Sequence, residues 1–94
     1  MHAAGFDDWE WNEGNQQELA RHHITPDEVE QVAENEPTWA RNKRNRAGKW
    51  LMIGRTFGGR ALTIVIALGE AGTSARAITG WDSTRGEHTR YLRR

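Results

Sequence analysis

The chain has 94 residues, no cysteine, and 13 basic against 13 acidic side chains, for a formal net charge of zero. That length is one domain, the missing cysteines exclude disulfides and thiolate metal sites, and no apolar run reaches the roughly 18 residues that a membrane helix needs. No basic segment followed by an apolar stretch opens the sequence, so no secretory leader is expected and the protein is expected in the cytoplasm.

The zero net charge hides a split. Residues 1–36 hold ten acids against one arginine, net −9, and residues 37–94 hold twelve Lys/Arg against three acids, net +9. A basic half of that density suits a polyanion or an acidic partner protein. Internal pairing of the two halves is the other reading, but a fold this small cannot bring all its charges together.

Residues 1–9 read as a loose N-terminal segment, and Glu10-Trp11-Asn12 as a short extended piece ending in a helix cap. Residues 13–22 have helix-forming composition with a thin apolar face. The clearest local signal is Thr25-Pro26-Asp27-Glu28. Thr25 can cap a helix, Pro26 suits a first position whose N–H would be unpaired anyway, and Glu28 completes a capping box. Val29, Val32 and Ala33 then recur at helical spacing until Asn35 and Pro37 stop the pattern.

From Trp39 the period changes to that of strands. A first strand starts near Trp39, residues 42–48 form a basic connection, and Trp50 to Phe57 is the next strand. Gly58-Gly59 signals a two-residue hairpin. Ala61 to Leu68 follows, with Leu62, Ile64, Ile66 and Leu68 on the face expected to meet the helices. Gly69 to Ser74 is a turn and Ala75 to Trp81 a further strand. Ser83 or Thr84 can cap a last helix, the Thr84 option placing Glu87 for a capping box and His88, Tyr91 and Leu92 on one stripe. The order helix, helix, antiparallel strands, helix predicts a single α+β domain. Its antiparallel sheet should have three to four strands, with helices on one face and Leu62, Ile64 and Ile66 buried against Val29 and Val32.

Stronger motifs are absent. Gly58-Gly59 is followed by Arg60 rather than opening a helix, so it is no phosphate loop. His22 and His23 would point about 100° apart on a helix and cannot easily share a metal.

Trp11-Asn12, Asn15 and Arg21-His22-His23-Ile24 resemble the opening of the BrnT proteins, RNA-cleaving toxins of bacterial type II toxin–antitoxin pairs. Their aromatic–acid–tryptophan piece leads to a Lys-His-Gly-Val-like step. The capped helix at Thr25–Glu34 follows at the family's spacing. Residues 50–55 (WLMIGR) and 76–80 (RAITG) resemble its strands, and Glu87 and Tyr91 match the acid and tyrosine of its last helix. The resemblance covers residues 10–92. It implies a RelE-like fold, metal-independent RNA cleavage, no cofactor, and a cognate antitoxin that also binds DNA. Dimers or hetero-oligomers with the antitoxin are both compatible with it. Two positions depart: the family's arginine at the end of the RAITG-like strand is Trp81 here, and its glycine after the histidine is His23. A non-catalytic RNA- or protein-binding module of the same fold is therefore the alternative.

Metal-free RNA cleavage needs a base for the 2′-hydroxyl, a cation for the charge on phosphorus and an acid for the leaving oxygen. His22, Arg55 and Arg76 are the catalytic candidates: a histidine titrates near neutrality, and strand-borne arginines are rigidly held. His88 is a second proton carrier, or else packs with Tyr91 and Leu92. Lys43, Arg44, Arg46, Arg60, Arg90 and Trp81 are the RNA-binding candidates, the cations for phosphates and the indole for stacking. The basic run 43–46 reads equally as a solvated loop. Trp11, Trp39 and Trp50 read as core or interface.

Overall fold

The structure, a computed structural model, describes residues 8–43, 50–69 and 74–92. Asn12 opens the first helix, α1 (Glu13–Ala20), by accepting the Asn15 amide at 2.8 Å. The helix buries only Leu19, in keeping with its thin apolar face. It ends short of the expected residue 22 because the amides of His22 and His23 fold back onto the carbonyls of Leu19 and Ala20. His23 there takes a positive φ of 60°. That reversal returns Ile24 to the core, where it is 2% exposed.

The second helix, α2 (Pro26–Glu34), carries the expected capping box between Thr25 and Glu28 and buries Val29, Val32 and Ala33. Five strands follow the order β1-β5-β4-β3-β2: β1 (Asp8–Trp9), β2 (Thr38–Arg41), β3 (Trp50–Arg55), β4 (Ala61–Leu68) and β5 (Ser74–Asp82). β2 to β5 form the antiparallel meander, with Met52 opposite Ile64 and a bulge near Val65–Ile66. The last helix, α3 (Arg85–Tyr91), is capped by Thr84 with Glu87 completing the box.

Leu62, Ile64 and Ile66 are fully buried with Leu19, Val29, Val32 and Met52, as their alternation predicts. Trp9, Trp11, Trp39, Trp50 and Leu68 pack around that cluster. At about 25 cal/mol per Å², each buried aliphatic side chain contributes about 1.5–3 kcal/mol. Most of that gross gain is offset by chain entropy, which leaves a domain a net stability of order 5–15 kcal/mol.

Three expectations are corrected. The sheet has five strands and is mixed, because Asp8–Trp9, in the segment expected to be loose, pairs in parallel with Ser74–Ala75. The β3–β4 turn is a three-residue Phe57-Gly58-Gly59 loop rather than a Gly-Gly one. Thr56 and Arg60 close it with a 2.9 Å backbone bond, and Gly59 at φ 100° takes the left-handed position such loops require. Finally, the helices do not share one face. α1 and α2 cover the side of Leu62 and Ile64, whereas α3 meets the alternate residues: Thr63 bonds Glu87 at 2.9 Å and Thr38 bonds the Tyr91 carbonyl at 3.1 Å. No helix is long and apolar enough to cross a membrane among the described residues.

Candidate nucleic-acid interface

On the α3 side of the sheet lies a cleft of about 380 Å³ lined by Arg41, Asn42, Lys43, Leu51, Trp81, Glu87, Arg90 and Tyr91. Residues of four elements, β2, β3, β5 and α3, line it because α3 crosses the strands, bringing Glu87 over β4 and β5 and Tyr91 beside β2. Lys43, Trp81 and Arg90, separate in sequence and all expected to touch RNA, are brought together.

The cations of this cleft are unspent. Lys43 and Arg90 make no ion pair among the described residues. The Arg90 guanidinium sits 5.6 Å from the Tyr91 ring centre, whereas that of Arg41, paired across the ladder with Trp50, lies 5.3 Å from the Trp50 ring on the core side of the sheet, so its charge is turned away from the cleft. A guanidinium held over a ring keeps its N–H edges for other acceptors.

Trp81 is fixed by the single carboxylate in the cleft. Its indole N–H donates to Glu87 Oε1 at 3.1 Å and Oε2 at 3.3 Å. Oε1 also accepts from the Thr63 hydroxyl at 2.9 Å and the Thr84 amide at 2.8 Å. Thr63 spends its only proton on Glu87, so Ser83, 2.9 Å away, must donate to Thr63. Oε1 is therefore occupied, whereas Oε2 takes only the longer indole bond.

The catalytic candidates are not brought together. Arg55 stands opposite Ala61 and Arg76 opposite Ala67, on either side of β4. Six residues at about 3.3 Å each separate them by about 20 Å along the strand. One phosphate cannot touch both. Arg55 donates to the Gly59 carbonyl at 3.1 Å. It borders a second pocket of about 370 Å³, with Asn35, Glu36, Thr38, Ile53, Gly54 and Leu92. His22 lies beyond α1, its Nε2 3.4 Å from Glu18. Glu18 is held below the ordinary carboxylate value, first by the Thr79 hydroxyl at 2.8 Å and then by nearby Arg21 and His22.

Arg60 belongs to the opposite face. Its Nε donates to Asp82 at 2.8 Å, and Nη1 to the His23 carbonyl at 2.7 Å and to Glu28 at 3.1 Å. Nη2 reaches the His22 carbonyl and Asp82, both at 3.3 Å. All three nitrogens are engaged, so it clasps the α1–α2 connection to the end of β5 instead of reaching for phosphate. The bonded Arg60 holds the Asp82 carboxyl below its usual range.

Arg44 and Arg46 lie outside the described residues. His88 is half-buried on α3 and outside the lining of the cleft. Trp39 and Trp50 pack on the core as expected, and Trp11 does so while donating to Glu30 at 2.8 Å. Sequence reasoning read Glu87 as a capping-box residue and Tyr91 as part of an apolar stripe, and only the resemblance tied the two to a family pattern; their place in the cleft comes from α3 crossing the sheet. Among the described residues no group of three or more His, Asp or Glu is placed to hold a metal ion. No family model matches the chain, and a search of curated proteins returns no significant relative.

Proposed function

We propose that the protein binds single-stranded RNA in the α3 cleft and cleaves it without a metal, as a toxin of the BrnT and RelE-like kind held in check by an antitoxin. The observation that carries the reading is the meeting of Lys43 and Arg90 with Trp81 and Tyr91 in one cleft. Ring faces offer stacking surfaces for unpaired bases and the cations offer phosphate contacts, which is the combination single-strand binders use. The resemblance supplies the reaction class.

Within this reading the 2′-oxygen attacks phosphorus, its proton passes to Glu87 Oε2, and the P–O5′ bond breaks, the departing 5′-oxygen taking a proton from solvent and leaving a 2′,3′-cyclic phosphate. Arg90 and Lys43 face the charge that grows on the phosphoryl oxygens, and a preorganised donor of this kind is worth roughly 10²–10³ in rate. The site thus differs from the trio His22, Arg55 and Arg76. The antitoxin, in this account, covers the cleft.

A binding-only reading is favoured by one feature. Glu87 Oε1 is spent on Thr63, Thr84 and Trp81, as a structural carboxylate would be. Purified protein in excess chelator separates the two. Cleavage lost in Arg90→Ala and Glu87→Gln, with RNA affinity kept in the latter, supports catalysis. Binding without cleavage in the wild type, with cleavage gained in Trp81→Arg, supports the binder. Absence of any RNA binding ends both.

A further inference from the structure

Arg55 and Arg76 remain unexplained by the central cleft, yet both stand on its side of the sheet. β3 alternates Met52 to the core, Ile53 to the α3 side, Gly54 toward α2 (its Cβ position lies 3.1 Å from Val32) and Arg55 to the α3 side. On β5, Ala75 and Ala77 are core residues, which leaves Arg76 facing the α3 side. Neither arginine has an ion-pair partner among the described residues.

Their placement is regular. They flank β4, about 20 Å apart along it and about 10 Å across it, hence about 22 Å apart. The cleft lies between them in the sheet's plane: of its lining residues, Leu51 pairs with Val65 and Trp81 with Thr63, both between Ala61 and Ala67. α3 divides the face, with the cleft on one side and the Arg55 pocket on the other. The two hollows come close at the end of that helix, where Tyr91 lines one and Leu92 the other. Glu36 shares the Arg55 pocket, which confines a phosphate to the arginine's side of it.

Resting on the RNA reading, we infer that Arg76 and Arg55 are outer phosphate subsites of one track, so that the ligand is an unpaired strand of about four nucleotides lying across the end of α3. A duplex is too stiff to follow a face broken by a helix, whereas a single strand bends over it with one base or two stacked in the cleft. The arginines then grip the flanking phosphates, at a distance no single nucleotide spans.

The test is a binding series by fluorescence anisotropy with non-cleavable 2′-O-methyl oligonucleotides of two, four, six and eight residues. Affinity should climb steeply from two to about four residues and then flatten. Arg55→Ala and Arg76→Ala should each weaken the hexamer about tenfold, the loss of one charge-assisted contact, and leave the dinucleotide within about twofold. Each should also lower the slope of log affinity against log salt by about 0.7. Arg76→Lys, which keeps the charge, should restore that slope even if the alanine variant folds poorly. A dinucleotide that binds as tightly as the hexamer overturns the proposal. So does equal loss of both lengths in either variant, or tighter binding of a duplex of equal length. If no oligonucleotide binds at any length, the cleft reading itself fails first.

Discussion

Replacing Arg60 by alanine tests whether this cation is structural. Its side chain is 29% exposed, against 26% for Glu28 and 67% for Asp82. The exposed Asp82 pair is screened and contributes under about 1 kcal/mol. The bonds to Glu28 and to the His22 carbonyl are better shielded, while that to the His23 carbonyl is exposed. Together with loss of packed methylenes they bring the cost to about 2–3 kcal/mol. In a domain of this size each kcal/mol shifts Tm by about 4–8 °C, so thermal unfolding should fall by about 10–20 °C. Arg60→Lys should recover less than half, because one ammonium cannot serve three nitrogens' worth of acceptors. The penalty is also pH-dependent. Asp82 is depressed in the fold, so its stabilisation is complete above its unfolded value near 4 and fades as pH falls through the lowered one. The gap between wild type and Arg60→Ala should therefore narrow below about pH 4. Scanning calorimetry across pH, paired with RNA binding at pH 7, gives the answer. If Tm is unchanged and RNA binding collapses, Arg60 is a phosphate contact and the assignment of faces is wrong.

Other outcomes follow from single contacts. His23→Gly relieves a φ of 60° on a non-glycine residue and should raise stability by about 1 kcal/mol in denaturant titrations; a loss would mean that the imidazole itself holds the turn. Gly80→Ala would place a Cβ 2.7 Å from Ile64 Cδ1 and 3.0 Å from the Thr63 carbonyl, and should cost about 1–3 kcal/mol by overpacking. Thr84→Ala removes the α3 cap and should cost about 1 kcal/mol while weakening RNA binding through a displaced Glu87. Trp81→Phe keeps a stacking face but frees Glu87; RNA affinity should fall less than about threefold, and Trp81→Ala should cost about 1–3 kcal/mol of binding.

The elements were readable where the signal is local. Thr25 and Thr84 announce their helices through neighbours three residues away, and the alternation of β4 declares which of its faces is dry. What failed was what depends on distant chain. Asp8–Trp9 is too short to show a period, and its partner lies 66 positions away in the chain. Gly58-Gly59 suggested a shorter loop because nothing local reveals that Phe57 joins it and that Gly59 alone needs the left-handed conformation. The catalytic trio was chosen by residue type; only the pairing register shows Arg55 and Arg76 at opposite ends of β4. Arg60 looked like its neighbours in the basic half, and its acidic partners come from α2 and from the end of β5.

The parallel pairing of β1 with β5 has a kinetic consequence. Asp8 meets Ser74 and Trp9 meets Ala75, 66 positions away in each case. The pairing is reinforced by the Glu10 amide on the Ala75 carbonyl and by the Ser74 hydroxyl on the Glu10 carboxylate, both at 2.8 Å. The β3–β4 and β4–β5 pairs join sequence neighbours and can form early. A two-residue strand that closes a loop of 66 positions must wait, since loop entropy is lost before contacts return it. It should be the last piece to dock and the first to detach. Amide exchange at Glu10 should then run far faster than at Ile64 in the central strand, and each such opening would briefly bare the backbone edge of β5 at Ser74 and Ala75.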